Sequence, residues 1–220
     1  MTDWSRIQGN VATFGGNAVV NFSFSSTILS GDIVTGSVLL NSGFTLNTVI
    51  DDKSNGYTVF DSNDNGTIYT AAFRSNTFLT NGPKTLTFTA SGASSNYFVI
   101  MDEFQPPTGA IAISVDGASV QVNSAGTTFP NFTTGGYDVL VYAVSFNTSG
   151  TSTHGVSFNA GTGDGTAICS EWGIRAFPII VTMDLATQTA SFYGPAFGIS
   201  AGIPQPGLVF GIKGMADIEW

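Results

Sequence analysis

Apolar and polar residues alternate over short runs along nearly the whole chain. In NAVVNFSFS, from Asn17, the side chains of Val20, Phe22 and Phe24 share one side while Asn21 and Ser23 take the other. That period of two belongs to a half-buried strand. KTLTFTAS repeats it, with Leu86 and Phe88 inward and Thr85, Thr87 and Thr89 outward; threonine suits the outer face because its branched Cβ fits a pleated backbone while its hydroxyl meets water. The runs around Asp32 (LSGDIVTGSVLL), from Asn96 to Phe104 (NYFVIMDEF) and from Tyr137 (YDVLVYAVSFN) are denser in apolar residues, which predicts strands covered on both faces. AIAISVDGASVQV predicts a hairpin around Asp116-Gly117, and THGVSFNAGTG, TAICSEWGI, PIIVTMD and TASFYG predict four further short strands, with a turn over Asp184–Gln188. Trp4 and Ile7 open a lead-in strand or anchoring tail, and LVFGIKGM closes the chain after a Gly- and Pro-rich loop. Nowhere do apolar residues recur at helical spacing over three turns. About a dozen strand candidates and no helix predict an all-β fold, an antiparallel β-sandwich of jelly-roll-like form, because half-apolar strands need a second sheet to bury them.

Turn chemistry punctuates this pattern most densely between Leu46 and Phe73, where Asp51-Asp52, Asn55-Gly56, then Asp61, Asn63, Asn65 and Gly66 separate apolar runs. Glycine after asparagine supplies the positive φ of tight hairpins, so the stretch reads as a meander of antiparallel strands. Pro106-Pro107 ends the strand before it, since neither residue can donate to a ladder. The expected organisation is one sandwich over residues 1–220, with 106–108 the one internal boundary at which it would divide into two, and no repeat of solenoid period is visible.

Composition narrows the functional classes. Asp, Glu, Lys and Arg make up 10% of the 220 residues, against roughly 25% in an average domain, so Ser, Thr, Asn and Gly must cover the surface. A net charge of −9 with 6 scattered basic residues disfavours nucleic acid and anionic membranes as partners. One cysteine, Cys169, excludes an internal disulfide and a cysteine zinc cluster, and its apolar surroundings suit a small buried residue. No apolar run approaches the length of a membrane span and no signal peptide is expected.

Candidate chemistry is sparse. DSNDNG places oxygen-bearing side chains at Asp61, Asn63 and Asn65 before Gly66, copying the first half of a calcium loop; Ala72 stands where that loop needs a bidentate glutamate, and the same residues suit a hairpin turn. No cofactor is expected beyond a calcium ion at this loop. Asp51 and Asp52 suit turn capping through backbone N–H groups. Asp102 and Glu103, adjacent on a strand, point to opposite faces and cannot act together as a glycosidase pair. His154 is the single histidine and lacks a nucleophile elbow, and GTGDG at 161–165 lacks a phosphate-loop lysine. No enzyme activity is expected. Tyr57, Tyr69, Trp172 and Tyr193, with Phe197 and Trp4, are candidates for stacking on a sugar ring, or else core and rim residues of the sandwich. Asn21, Asn65, Asn131 and Asn147 match the N-x-[ST] sequon, as expected by chance in so Ser/Thr-rich a chain.

Val49-Ile50-Asp51-Asp52, Asn55-Gly56-Tyr57-Thr58, the aromatic run Tyr69–Phe73, the threonine-rich run Thr85–Thr89 and the acidic-aromatic ending Met101–Phe104 together resemble a sandwich domain of phage virion proteins and related prophage proteins. The match extends loosely through Trp172 to LVFGIKG, and the DSNDNG turn departs from its simplest form. The resemblance implies a structural or adhesive protein of a bacteriophage virion: capsid-decorating, head-fibre or tail-associated. Its partners would be capsid or tail proteins and copies of itself, by analogy a trimer, with contact to a host surface. It brings no catalytic residues. The alternative is a carbohydrate-binding module for cell-surface glycans, extracellular rather than virion-borne; a third is a sandwich hydrolase or lyase built on two distant carboxylates.

Overall fold

The computed structural model describes residues 4–66, 68–122, 132–133, 139–146, 155–158, 165–169, 176–183, 189–193 and 207–216, with side chains over 4–66 and 68–115 and at Leu140 and Ile212. All described secondary structure is β. The chain divides into two compact units, Arg6–Gln105 and Pro106–Trp220, the latter together with Met1–Ser5.

The first unit holds eight strands: β1 (Ser5–Phe14), β2 (Asn17–Ser23), β3 (Ile33–Asn41), β4 (Leu46–Asp51), β5 (Tyr57–Asp64), β6 (Ile68–Ser75), β7 (Thr85–Ser94) and β8 (Tyr97–Gln105). They form a five-stranded sheet in the order β1-β8-β3-β6-β5 and a three-stranded sheet in the order β2-β7-β4. The pairs with a described register are antiparallel. Apart from the β5-β6 hairpin, successive strands pass between sheets while sequence-distant strands become neighbours, the nested connectivity of a jelly roll. The inner faces follow the alternation in the sequence. Val34, Val38 and Leu40 of β3 meet Val20 and Phe22 of β2 and Leu86 and Phe88 of β7 in one buried cluster. Phe73 and Phe88 pack edge to face with ring centroids 5.2 Å apart, a favoured aromatic geometry.

β3 and β8 are buried on both faces, as their dense composition predicts. On the face turned from the core, the Thr35 hydroxyl donates to the Phe73 carbonyl and that of Ser37 to Ala71, each at 2.8 Å. Buried polar groups are thus paired within their own sheet. Gly36 permits the closest approach: a Cβ there would lie 2.0 Å from the Ile100 carbonyl oxygen.

The second unit holds β9 (Ala110–Val122), β10 (Phe132–Thr133), β11 (Val139–Phe146), β12 (Gly155–Phe158), β13 (Gly165–Cys169), β14 (Ala176–Met183), β15 (Thr189–Tyr193) and β16 (Gly207–Ala216). Its sheets run β13-β14-β11-β16-β9 and β10-β15-β12. Counted from its own first strand, this is the strand order of the first unit repeated, with the five-stranded sheet written from its other edge.

Two expectations need correction. Asp116-Gly117 does not turn a hairpin: β9 runs through it, and three residues, 117–119, bulge opposite Phe210 between the pairs Asp116–Gly211 and Val120–Val209. A strong turn dipeptide is equally compatible with a bulge when both flanks find the same partner strand. The stretch 46–73 is not a simple meander either. β5 and β6 form a hairpin, but β4 pairs with β7 in the other sheet, and apart from the Ile50–Gly56 bridge the chain leaves one sheet for the other. The predicted turn over Asp184–Gln188 lies outside the described residues.

Candidate functional site

Asp51 organises the crossing between the sheets. One carboxylate oxygen accepts the backbone N–H groups of Lys53 and Asn55 at 2.9 and 3.0 Å; the other accepts the Asn55 amide at 2.7 Å and the Tyr57 hydroxyl at 3.0 Å. Four donors on one side chain fold residues 51–57 tightly enough to hold Ser54 at φ 65°, a conformation that L-residues seldom adopt. The neighbouring Asp52 accepts the backbone N–H of Lys84 at 3.0 Å, which holds its carboxyl below the usual range. Capping by both aspartates is as the sequence predicts.

The calcium-loop candidates fall on β5 and the turn after it. Asp61 and Asn63 lie in the ladder, opposite Ala72 and Thr70, just after a bulge at Phe60. Asn65 begins the turn, where its side-chain oxygen accepts the Ile68 N–H at 2.9 Å; Asp64 accepts the Gly66 N–H and the Ser42 hydroxyl. Extended backbone separates Asp61 from Asn63 by about 7 Å along the strand, unlike the tight curl of a calcium loop. Among the described residues no three His, Cys, Asp or Glu side chains gather as a metal cluster.

The described aromatic candidates fall in different settings. Tyr69 is buried in the first unit's core. Tyr57 is half-buried against that core; burial and the Asp51 charge push its hydroxyl well above its usual pKa, so it acts as a donor. Tyr193 ends β15 opposite Gly155. Trp172, like Phe197, His154, Asn131 and Asn147, lies outside the described residues.

The three-stranded sheet of the first unit instead presents an ordered outer face. Its rows are Val19–Thr89–Thr48 and Asn21–Thr87–Ile50, with Ser23 opposite Thr85 below them. The Thr87 hydroxyl donates to Asn21 and those of Ser23 and Thr85 bond each other, both at 2.8 Å. No charged side chain stands within these rows. The face can make directional, neutral hydrogen bonds, flanked by exposed Val19 and Ile50.

A second cluster sits where β3 begins and β8 ends. Asp32 and Glu103 are 3% and 0% exposed. Glu103 accepts the Leu29 N–H at 2.8 Å and the Gln8 amide at 2.5 Å. The Asp32 carboxyl is in hydrogen-bond contact with Glu103, and no donor reaches its Oδ2. Burial, then that contact and the Glu103 charge, raise its pKa from 3.8 to about 7. Asp102, on the other face of β8, bonds Arg6 at 2.8 Å, so the adjacent acids do point apart. The sequence singled out neither Asp32 nor its pairing with Glu103. The available signal was an acid inside or beside runs dense enough to be buried on both faces.

In comparisons with known proteins, no family model, no curated protein and no solved structure matches this chain.

Proposed function

We propose that this chain is a structural or adhesive protein of a bacteriophage virion, joined by protein–protein contacts to capsid or tail proteins and to copies of itself. The observation that carries the reading is the pair of eight-stranded units with one strand order, because jelly rolls are a recurrent architecture of capsid and lectin domains. The low charge of the chain and the neutral, hydroxyl-ordered outer face of β2-β7-β4 favour close packing against another protein without desolvating ions. Fold alone does not assign function, so the test is assembly. Purified protein should sediment with phage particles or a capsid protein, and light scattering should give an oligomer, a trimer under the fibre or decoration form. A strict monomer that binds no particle refutes it.

The same neutral face also suits a hydroxyl-rich glycan, which keeps a carbohydrate-binding module as the second reading. Titration with cell-surface polysaccharide should then give binding that Thr87→Ala weakens. Binding that instead falls on replacing Trp172 or Tyr193 places the site in the second unit.

A further inference from the structure

We propose that Asp32 and Glu103 hold one proton between them and form a latch on the segment 24–32 that opens as the pH rises. This is independent of the virion reading. The segment is held from three sides. Glu103 accepts the Leu29 N–H. The Gln8 amide, itself bonded to Glu103, also donates to the Ser26 carbonyl and accepts from the Ser25 hydroxyl and the Ser26 N–H. Asp32 ends the segment, its backbone paired with Leu79. The segment in turn buries Phe24 and Ile28 in the core.

Both oxygens of Glu103 accept from N–H donors. Asp32 Oδ2 faces no donor, as suits an oxygen that carries the proton itself. Among the described residues, the positive side chains of the elements packed around the pair are engaged elsewhere. On β1, Arg6 is bonded to Asp102 on the other face of β8. On β6, Arg74 donates to the carbonyls of Ser75 and Asn76. The segment 24–31 carries no titratable side chain, and in 76–84 the one charge is Lys84, near the opposite end of the segment, where its carbonyl accepts the Phe24 N–H. Once the shared proton leaves, two like charges face each other at a buried position, and separation requires the segment to lift. Its product is an exposed Phe24 and Ile28 beside Leu29, which is already exposed, an apolar patch uncovered above neutrality.

Hydrogen exchange on the full chain tests this. After correction for intrinsic rates, the Leu29 amide should exchange at least about tenfold faster near pH 8.5 than near pH 5.5, with a parallel rise in binding of a hydrophobic dye. Asp32→Asn, which keeps a donor towards Glu103 without a charge to gain, should remain protected at both. Carboxyl carbon NMR of the unaltered protein should place the Asp32 titration near neutrality. A titration in the ordinary carboxylate range, or pH-independent protection of Leu29, overturns the proposal. So does protection at alkaline pH restored by calcium alone, which would make the pair a cation site.

Discussion

Replacing Asp51 with alanine removes the single acceptor of four hydrogen bonds. The Lys53 and Asn55 N–H groups sit in a turn that water can reach, so their loss is largely compensated. The half-buried Tyr57 hydroxyl and the Asn55 amide are less accessible, and a bond to a charged acceptor is worth about 1.5–3 kcal/mol. We expect Asp51→Ala to destabilise the first unit by about 3 kcal/mol and Tyr57→Phe, which removes one donor and leaves the carboxylate three, by about 1 kcal/mol. Asp51→Asn should fall between them, because its oxygen can still accept the two backbone groups while its amide confronts that of Asn55. Urea unfolding followed by circular dichroism, with exchange of first-unit amides to separate the two units, gives the values. An Asp51→Ala cost under about 1 kcal/mol, or equal costs for alanine and asparagine, would show that packing rather than acceptors is lost and would refute this role of Asp51.

Stability of the first unit should depend on pH through Asp32. Its folded pKa lies above its unfolded one, so its contribution is complete below about pH 4 and is lost as pH rises through about 7; the shift corresponds to at most about 4 kcal/mol, and Asp32→Asn should flatten the urea midpoint across that window. Ser54→Gly should stabilise by about 0.5–1 kcal/mol in thermal unfolding, because glycine accepts the positive φ without a Cβ penalty. Gly36→Ala should abolish soluble expression or collapse the melting transition, since the methyl would meet backbone atoms of Ile100 and Met101 that cannot yield without parting β3 from β8.

The alternation of NAVVNFSFS and KTLTFTAS was enough to predict strands with the correct faces inward, because a strand's period depends only on its own residues. The capping role of Asp51 was legible for the same reason, since its partners are Lys53, Asn55 and Tyr57; Asp52 caps the distant backbone of Lys84, a partner that only the fold supplies. Partner choice was not legible. Nothing in β4 says that it pairs with β7 rather than β5, and nothing in Asp116-Gly117 distinguishes a bulge from a turn, since both depend on a strand distant in sequence. The repeated strand order left no visible repeat because the same nested topology needs only alternating strands and suitable turns. Tyr69 belongs to the core and not to a ligand surface because β6 is covered on both faces. The Asp32–Glu103 pair exists only because β3 and β8 lie side by side, in a register that sets Val34 opposite Glu103 and carries Asp32 to the same end. The local sequence thus determined strands, faces and turns; the tertiary structure alone decided which strands met, and with them which charges were buried together.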